Sequence, residues 1–246
     1  MSKVAVKLPN GTTCHLTSAR MRFTARFLKW EIFTRKRYSH PGFELRPTDT
    51  VLDVGGNLGV FVLWAAPQVP QGRVVTIEPI PSALSCLRLN VERNGLGNVT
   101  VLHAAVGCDG GEVELVTYPS IELLSHGVNI RPHAIARLLS KYLHWAVRVT
   151  APRISLGRIM DEHNLDTVNY LKLDCEGAEF EILQNLEAAY WPRIERIAVE
   201  YHEDGPSKKG SDLVEILERQ GFDVTTDAII LDHVFKIGAI WARRPV

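Results

Sequence analysis

Residues 51–60 read VLDVGGNLGV. An apolar, β-branched run stops at one acid, Asp53, and then at Gly55, Gly56 and Gly59, before an apolar stretch resumes. That order predicts a short buried strand, a tight turn and a helix. The same unit recurs along the chain. RVVTIEP (73–79) is a second strand ending at an acid and a proline. Residues 82–94 form a helix with Leu84, Leu87 and Val91 on one face and Asn94-Gly95 as its stop. VTVLHAAVG (99–107) is a third strand and EVELVTY (112–118) a shorter extended piece. NYLKLD, EGAEFEILQNL, RIAVEY and SDLVEILERQG then alternate as strand, helix, strand and helix. FDVTTD and VFKIGAIWAR close the chain as a hairpin.

Such alternation specifies an α/β fold: a mostly parallel sheet covered by helices on both faces. Ligands of such sheets bind beyond the carboxyl ends of the strands, at the topological switch point. The residues at those ends are 53–59, Glu78, 103–106, 174–177 and 200–204.

Two segments stand outside the alternation. Residues 19–34 read as an amphipathic helix, with Met21, Ala25, Leu28 and Ile32 on one face and Arg22, Arg26 and Lys29 on another. It belongs to an N-terminal extension, residues 1–48, ahead of the main domain at 49–246. Residues 119–147 interrupt the main domain, and HAIARLLSKYLHW within them is helical by its spacing. An insertion at the ligand edge is a candidate lid or acceptor wall.

With 246 residues the chain can build one such domain with a full core. No apolar run reaches the roughly 18 residues of a membrane span. The start lacks a secretory pattern, and the four cysteines (14, 86, 108, 175) form no CxxC pair, so the expectation is a cytoplasmic protein with reduced thiols. Charge is neutral overall but uneven. Residues 19–37 and 123–160 hold thirteen Lys/Arg against Glu31 alone, a surplus of +12 that the rest of the chain cancels. These segments either face something anionic or are ordinary solvated faces.

The glycine turn excludes two ligand classes. A triphosphate loop requires Lys and Ser/Thr after its last glycine, and neither follows Gly59. A dinucleotide loop requires GxGxxG, but the second glycine falls on Asn57 or Leu58 in the two registers. A third reading is a cradle for S-adenosylmethionine. Turn N–H groups of Gly55, Gly56, Asn57 and Gly59 can meet its carboxylate, and Asp53 its ammonium. The bland alternative is glycines that serve only close packing. Glu78, 25 residues after Asp53 and followed by Pro79, stands where an acid takes ribose hydroxyls.

VLDVGGNLGVF, TIEPIPSALSCLRLNVERNGL, HAAVG, YLKLDCEGAEFEIL and IAVEYHE together resemble the FkbM family of S-adenosylmethionine-dependent methyltransferases. Its usual turn is close to DxGANxG; Gly56 stands here where Ala is common. Its second hallmark, K-[IL]-D-x-E-G-x-E, is matched by Lys172, Asp174, Glu176, Gly177 and Glu179. The resemblance spans roughly residues 30–242. It implies the class I methyltransferase fold, a Rossmann-like seven-stranded sheet with an antiparallel last strand. It also implies O-methylation of natural products or sugars. By position it assigns Asp53, Gly55, Gly59 and Glu78 to the cofactor and residues 103–106, with Ala104, Ala105 and Val106, to the adenine. Glu31 and Tyr38 match, more loosely, an acid and a tyrosine upstream of the turn. The basic segment 123–160 fits no such pattern.

Methyl transfer is an in-line displacement that needs a positioned acceptor and benefits from a base. Asp174, Glu176, Glu200 and His202 are the candidate bases, Asp174 first among them for its place at a strand end. The same four could converge on a metal, but no spacing demands one. The acceptor expected is a small-molecule hydroxyl, with an anionic compound among the options; no nucleic-acid module is present. A silent binding module, or an enzyme acting at a membrane surface or on a macromolecule, are the competing readings. The sequence leaves monomer and homodimer open.

Overall fold

The computed structural model describes residues 4–118, 126–127, 146–203, 209–228 and 237–245. The helix expected at 133–145, with Arg131, Arg137 and Lys141, lies outside the described residues, as does Asp204.

Seven strands form the central sheet: β3 (Thr50–Val54), β4 (Arg73–Ile77), β5 (Val99–Leu102), β10 (Tyr170–Leu173), β11 (Arg196–His202), β12 (Asp223–Ala228) and β13 (Ile237–Arg243). Their order is β12-β13-β11-β10-β3-β4-β5. All neighbours are parallel except β13, which runs antiparallel to both β11 and β12. The central strands are mostly apolar and almost wholly buried, as a sheet covered on both faces requires; in β10 Tyr170, Leu171, Lys172 and Leu173 are all buried. The chain leaves β3 toward β4 and β5 on one side and returns to β10 on the other. The switch point is therefore the crevice between the ends of β3 and β10.

Helices α1 (Arg22–Lys29), α2 (Val60–Ala65) and α3 (Pro81–Arg93) accompany the first half; α4 (Leu156–Glu162), α5 (Glu179–Asn185) and α6 (Gly210–Arg219) accompany the second. Local chemistry fixes their ends. Pro81 opens α3 at a position that needs no N–H donor, and Gly95 (φ 62) follows its end. The Ser155 hydroxyl caps α4 by accepting from Arg158 N at 3.2 Å.

Four features depart from the sequence expectation. An N-terminal hairpin pairs β1 (Val4–Lys7) with β2 (Thr13–Leu16), closed at Asn10-Gly11 with Gly11 at φ 89. The third strand is split: β5 stops at Leu102 and a short β6 (Ala105–Val106) follows. EVELVTY forms β7 (Glu112–Thr117), which pairs not with the main sheet but with β9 (Val147–Ile154) and β8 (His126–Gly127) in a second sheet. Helix α4 is an additional element that the alternation of strands and helices does not announce. The hairpin and α1 share one core with α2 and α3 through Leu16, Met21, Ala25, Leu58 and Phe61.

Candidate active site

At the end of β3 the backbone turns sharply, with Gly55 at φ 87, Asn57 at φ 48 and Gly59 at φ 85. Each glycine has a steric cause within the protein. A Cβ on Gly55 would stand 1.8 Å from the Asp174 carbonyl oxygen; on Gly56, 2.3 Å from Thr76 Oγ1; on Gly59, 2.6 Å from Leu87 Cδ1. The turn after β3 is thus pressed directly against the turn after β10. Asn57 adopts a left-handed conformation that Asn tolerates better than most residues. Its N–H donates to Glu78 Oε2 at 2.7 Å, and its Oδ1 accepts from Leu58 N at 2.8 Å.

Glu78 ties the first two turns together. Its Oε1 accepts from Ile80 N at 2.7 Å while Oε2 holds Asn57. The residue is 5% exposed, and burial pushes its carboxyl up to about 7 despite those two N–H donors. Each oxygen retains acceptor capacity. The Glu78 N–H donates to Leu102 O, and the His103 ring sits 3.1 Å from the Pro79 carbonyl oxygen. Glu78, Pro79 and residues 103–106 are brought together; Ala104 and Val106 are buried there and Ala105 is half-buried.

The hallmark 172–179 decodes residue by residue. Lys172 is 2% exposed inside the sheet. Its ammonium sits 3.0 Å from Asp53 Oδ1 and 3.6 Å from Asp174 Oδ2, and donates to Gly55 O at 2.7 Å. Burial opposes its charge, but the two carboxylates hold the ammonium above its ordinary value. Asp53 is fully buried, with Thr76 Oγ1 donating to Oδ2 at 2.7 Å. Asp174 is half-buried at the crevice, and Tyr38 donates its hydroxyl to Oδ2 at 3.0 Å. Glu176 (φ 57) and Gly177 (φ 101) form the turn itself. Glu179 ties it back, accepting from Cys175 N at 2.7 Å and Gly177 N at 2.9 Å. A non-glycine residue at positive φ costs on the order of 1 kcal/mol or more and clusters at functional sites.

The segment after α1 completes this edge. A π-helical turn, Trp30–Thr34, brings Glu31 inward, and Arg37 and Tyr38 follow, both buried. Arg37 Nη2 pairs with Glu200 Oε2 at 2.9 Å. Tyr38 packs edge-on to Phe61 at 5.1 Å, and Tyr170 donates its hydroxyl to Tyr38 O at 3.0 Å. Burial, then the charges of Glu200 and Asp174, hold the Glu31 carboxyl well above the usual carboxylate range. Burial and the Asp174 charge do the same to the Tyr38 phenol. His202 ends β11 opposite Ile237; its side chain lies outside the described residues. Among the described residues no group of three or more His, Cys, Asp or Glu stands close enough to hold a metal ion.

Sequence reasoning counted Arg37 only as surface charge and gave Lys172 no role beyond its motif. A usable signal was present for Lys172: a lysine inside an otherwise apolar parallel strand must be paired.

The sheet order with its antiparallel β13, the glycine turn at the switch point and the acid ending β4 define a class I methyltransferase fold. Residues 53–224 match the family model of the methyltransferase FkbM domain. The chain belongs to the FkbM methyltransferase family. The 31-O-demethyl-FK506 methyltransferase FkbM of Streptomyces tacrolimicus is 30% identical over 261 residues, covering 97% of this chain and 96% of that protein. Methyltransferase 1 of Beauveria bassiana is 30% identical over 219 residues, 82% of each chain. The crystal structure of a methyltransferase FkbM from Methylobacillus flagellatus superimposes with a TM-score of 0.54 at 14% identity, covering 92% of this chain and 56% of that one.

Proposed function

We propose that the protein transfers a methyl group from S-adenosylmethionine to a hydroxyl of a small molecule. The observation that carries this reading is the Glu78 carboxylate beside the glycine turn. Two backbone N–H groups hold it in place, and each of its oxygens can accept once more. That is a receptor for a vicinal diol such as a ribose. The similarity to a relative named as an O-methyltransferase supports oxygen as the atom methylated.

S-adenosylmethionine supplies a methyl group on a sulfonium, activated before it binds. The chain's task is to hold, orient and deprotonate. Glu78 would take the two ribose hydroxyls. Residues 55–59 and Asp174 would hold the methionine end, with Asp53 acting through Lys172, and Ala104, Ala105 and Val106 would hold the base. Asp174 Oδ2 is held by Tyr38 and Lys172, while Oδ1 receives no hydrogen bond from a described residue. Oδ1 accepts the acceptor's hydroxyl proton as the oxygen attacks. Glu176 and His202 are the other candidate proton acceptors, and residues 119–147 the candidate lid.

Calorimetric titration with S-adenosylmethionine tests the first half, and methyl transfer to a panel of hydroxylated compounds the second. Binding by wild type, weakened by about 10–100-fold in Glu78→Gln, is expected. A folded protein that binds no S-adenosylmethionine, or that methylates only nitrogen or carbon, would overturn the reading.

A further inference from the structure

Helix α1 buries Thr24 and Ala25 and packs Leu28 against the core, and Met21 and Ile32 flank it on the same side. Its other face is not polar. Phe23 is 64% exposed, Phe27 38% and Trp30 45%. Their spacing of four and three residues sets the three rings in one stripe along the helix. Phe27 and Trp30 touch, with ring centroids 5.9 Å apart, and the Arg35 guanidinium lies over Trp30 at 5.3 Å.

Six cations surround the stripe. Arg20, Arg22, Arg26, Arg35 and Lys36 are exposed, and Lys29 is half-buried, its ammonium donating to Lys7 O at 2.8 Å. Glu31 is the one acid in residues 19–36, and it is half-buried in the field of Asp174 and Glu200. The outward face is therefore aromatic and uniformly cationic, on a helix anchored to the hairpin. An aromatic ridge ringed by arginines matches an anionic bilayer surface. Rings enter at the headgroup level, long cationic stems reach phosphates, and no complementary groove is needed.

We propose that the outer face of α1 docks on anionic lipid bilayers. Phe23, Phe27 and Trp30 enter the interface, and Arg20, Arg22, Arg26, Arg35 and Lys36 contact lipid phosphates. Trp30 is followed directly by Glu31, so docking sets the edge of the candidate active site beside the membrane.

Co-sedimentation of the full chain with phosphatidylcholine vesicles, with and without phosphatidylglycerol, tests this. Binding to the anionic vesicles alone is expected, fading as NaCl is raised, with a blue shift of tryptophan emission that Trp30→Phe removes. Replacing Arg20, Arg22 and Arg26 by Gln should weaken partitioning by about fivefold per cation, on the order of a hundredfold in all. Phe23→Ala with Phe27→Ala should weaken it by roughly tenfold or more. These variants should keep the wild-type melting temperature and the wild-type titration with S-adenosylmethionine, so folding and the cofactor reading are followed separately. Three results would overturn the proposal. They are no vesicle binding, equal binding to neutral vesicles, or sedimentation equilibrium showing self-association that the same variants abolish. The last would assign the face to a second copy of the chain.

Discussion

The two ends of the same strands carry buried charge in opposite ways. At the amino end Asp49 precedes β3 and Arg196 opens β11, and they pair at 2.5 Å. Arg196 also donates to Asn169 O at 2.9 Å and Glu44 O at 2.6 Å, and Asp49 accepts from Arg46 N. One cation meets one anion, and every fork of the guanidinium has an acceptor. At the carboxyl end four acids (Glu31, Asp53, Asp174, Glu200) share two cations, Arg37 and Lys172. The first arrangement is neutral and closed, which suits a structural clamp. The second leaves negative charge in excess at the switch point, where a methylation site needs acceptors for protons and for a cationic cofactor.

The largest effect that would sharpen this contrast is catalytic. Asp174→Asn should lower kcat by roughly 10²–10⁴-fold while calorimetry shows an unchanged melting temperature. A modest loss of kcat would move the proton acceptor to Glu176 or His202.

Next come the structural charges. Asp49→Ala strands a buried guanidinium and should cost about 3–5 kcal/mol in urea unfolding, with activity per folded molecule retained. Lys172→Met strands Asp53 and should cost as much. The double variant Asp53→Asn, Lys172→Met should recover part of that loss, because no buried charge remains alone. If the double variant is no more stable than the single, the pair of Lys172 and Asp53 is not what holds the crevice.

Glu78 gives a smaller effect, read through pH. Its folded-state value, raised by burial from 4.5 to about 7, means the folded chain holds this proton more tightly than the unfolded chain. The stabilisation is complete below pH 4.5 and is lost as pH rises through 7. In the proposed role the ionised carboxylate is the form that accepts the ribose hydroxyls, so affinity for S-adenosylmethionine should rise across that same interval. Glu78→Gln should weaken binding by about 10–100-fold and flatten the pH dependence in isothermal titration. Smallest of all is Tyr38→Phe, which removes one hydrogen bond to Asp174 and should change kcat/KM by about three- to tenfold.

How much of this was legible depended on whether the signal was local. Strand ends announced themselves because Gly55, Glu78 with Pro79, and Asp174 each break an apolar run. Glu78 stands where its place after the second strand put it, and the structure buries it rather than leaving it at the surface. The hairpin at Val4–Lys7 and Thr13–Leu16 was missed although Asn10-Gly11 is a strong turn signal, since four-residue strands offer little periodicity. Strand β9 was missed because Pro152 lies within it and Arg148 and Arg153 were counted only toward the basic segment 123–160. The pairing of Arg37 with Glu200 joins residues 163 positions apart, and the hydrogen bond from Tyr38 to Asp174 spans 136. No local pattern encodes such contacts.

Gly56 carries a consequence for its neighbour across the sheet. An alanine there would set its methyl 2.3 Å from Thr76 Oγ1, which is engaged with Asp53, so that hydroxyl must give way to admit it. Positions 56 and 76 are therefore coupled: a larger residue at 56 requires a smaller or turned residue at 76. Relatives carrying alanine at the first position should carry something other than threonine, in this rotamer, at the second.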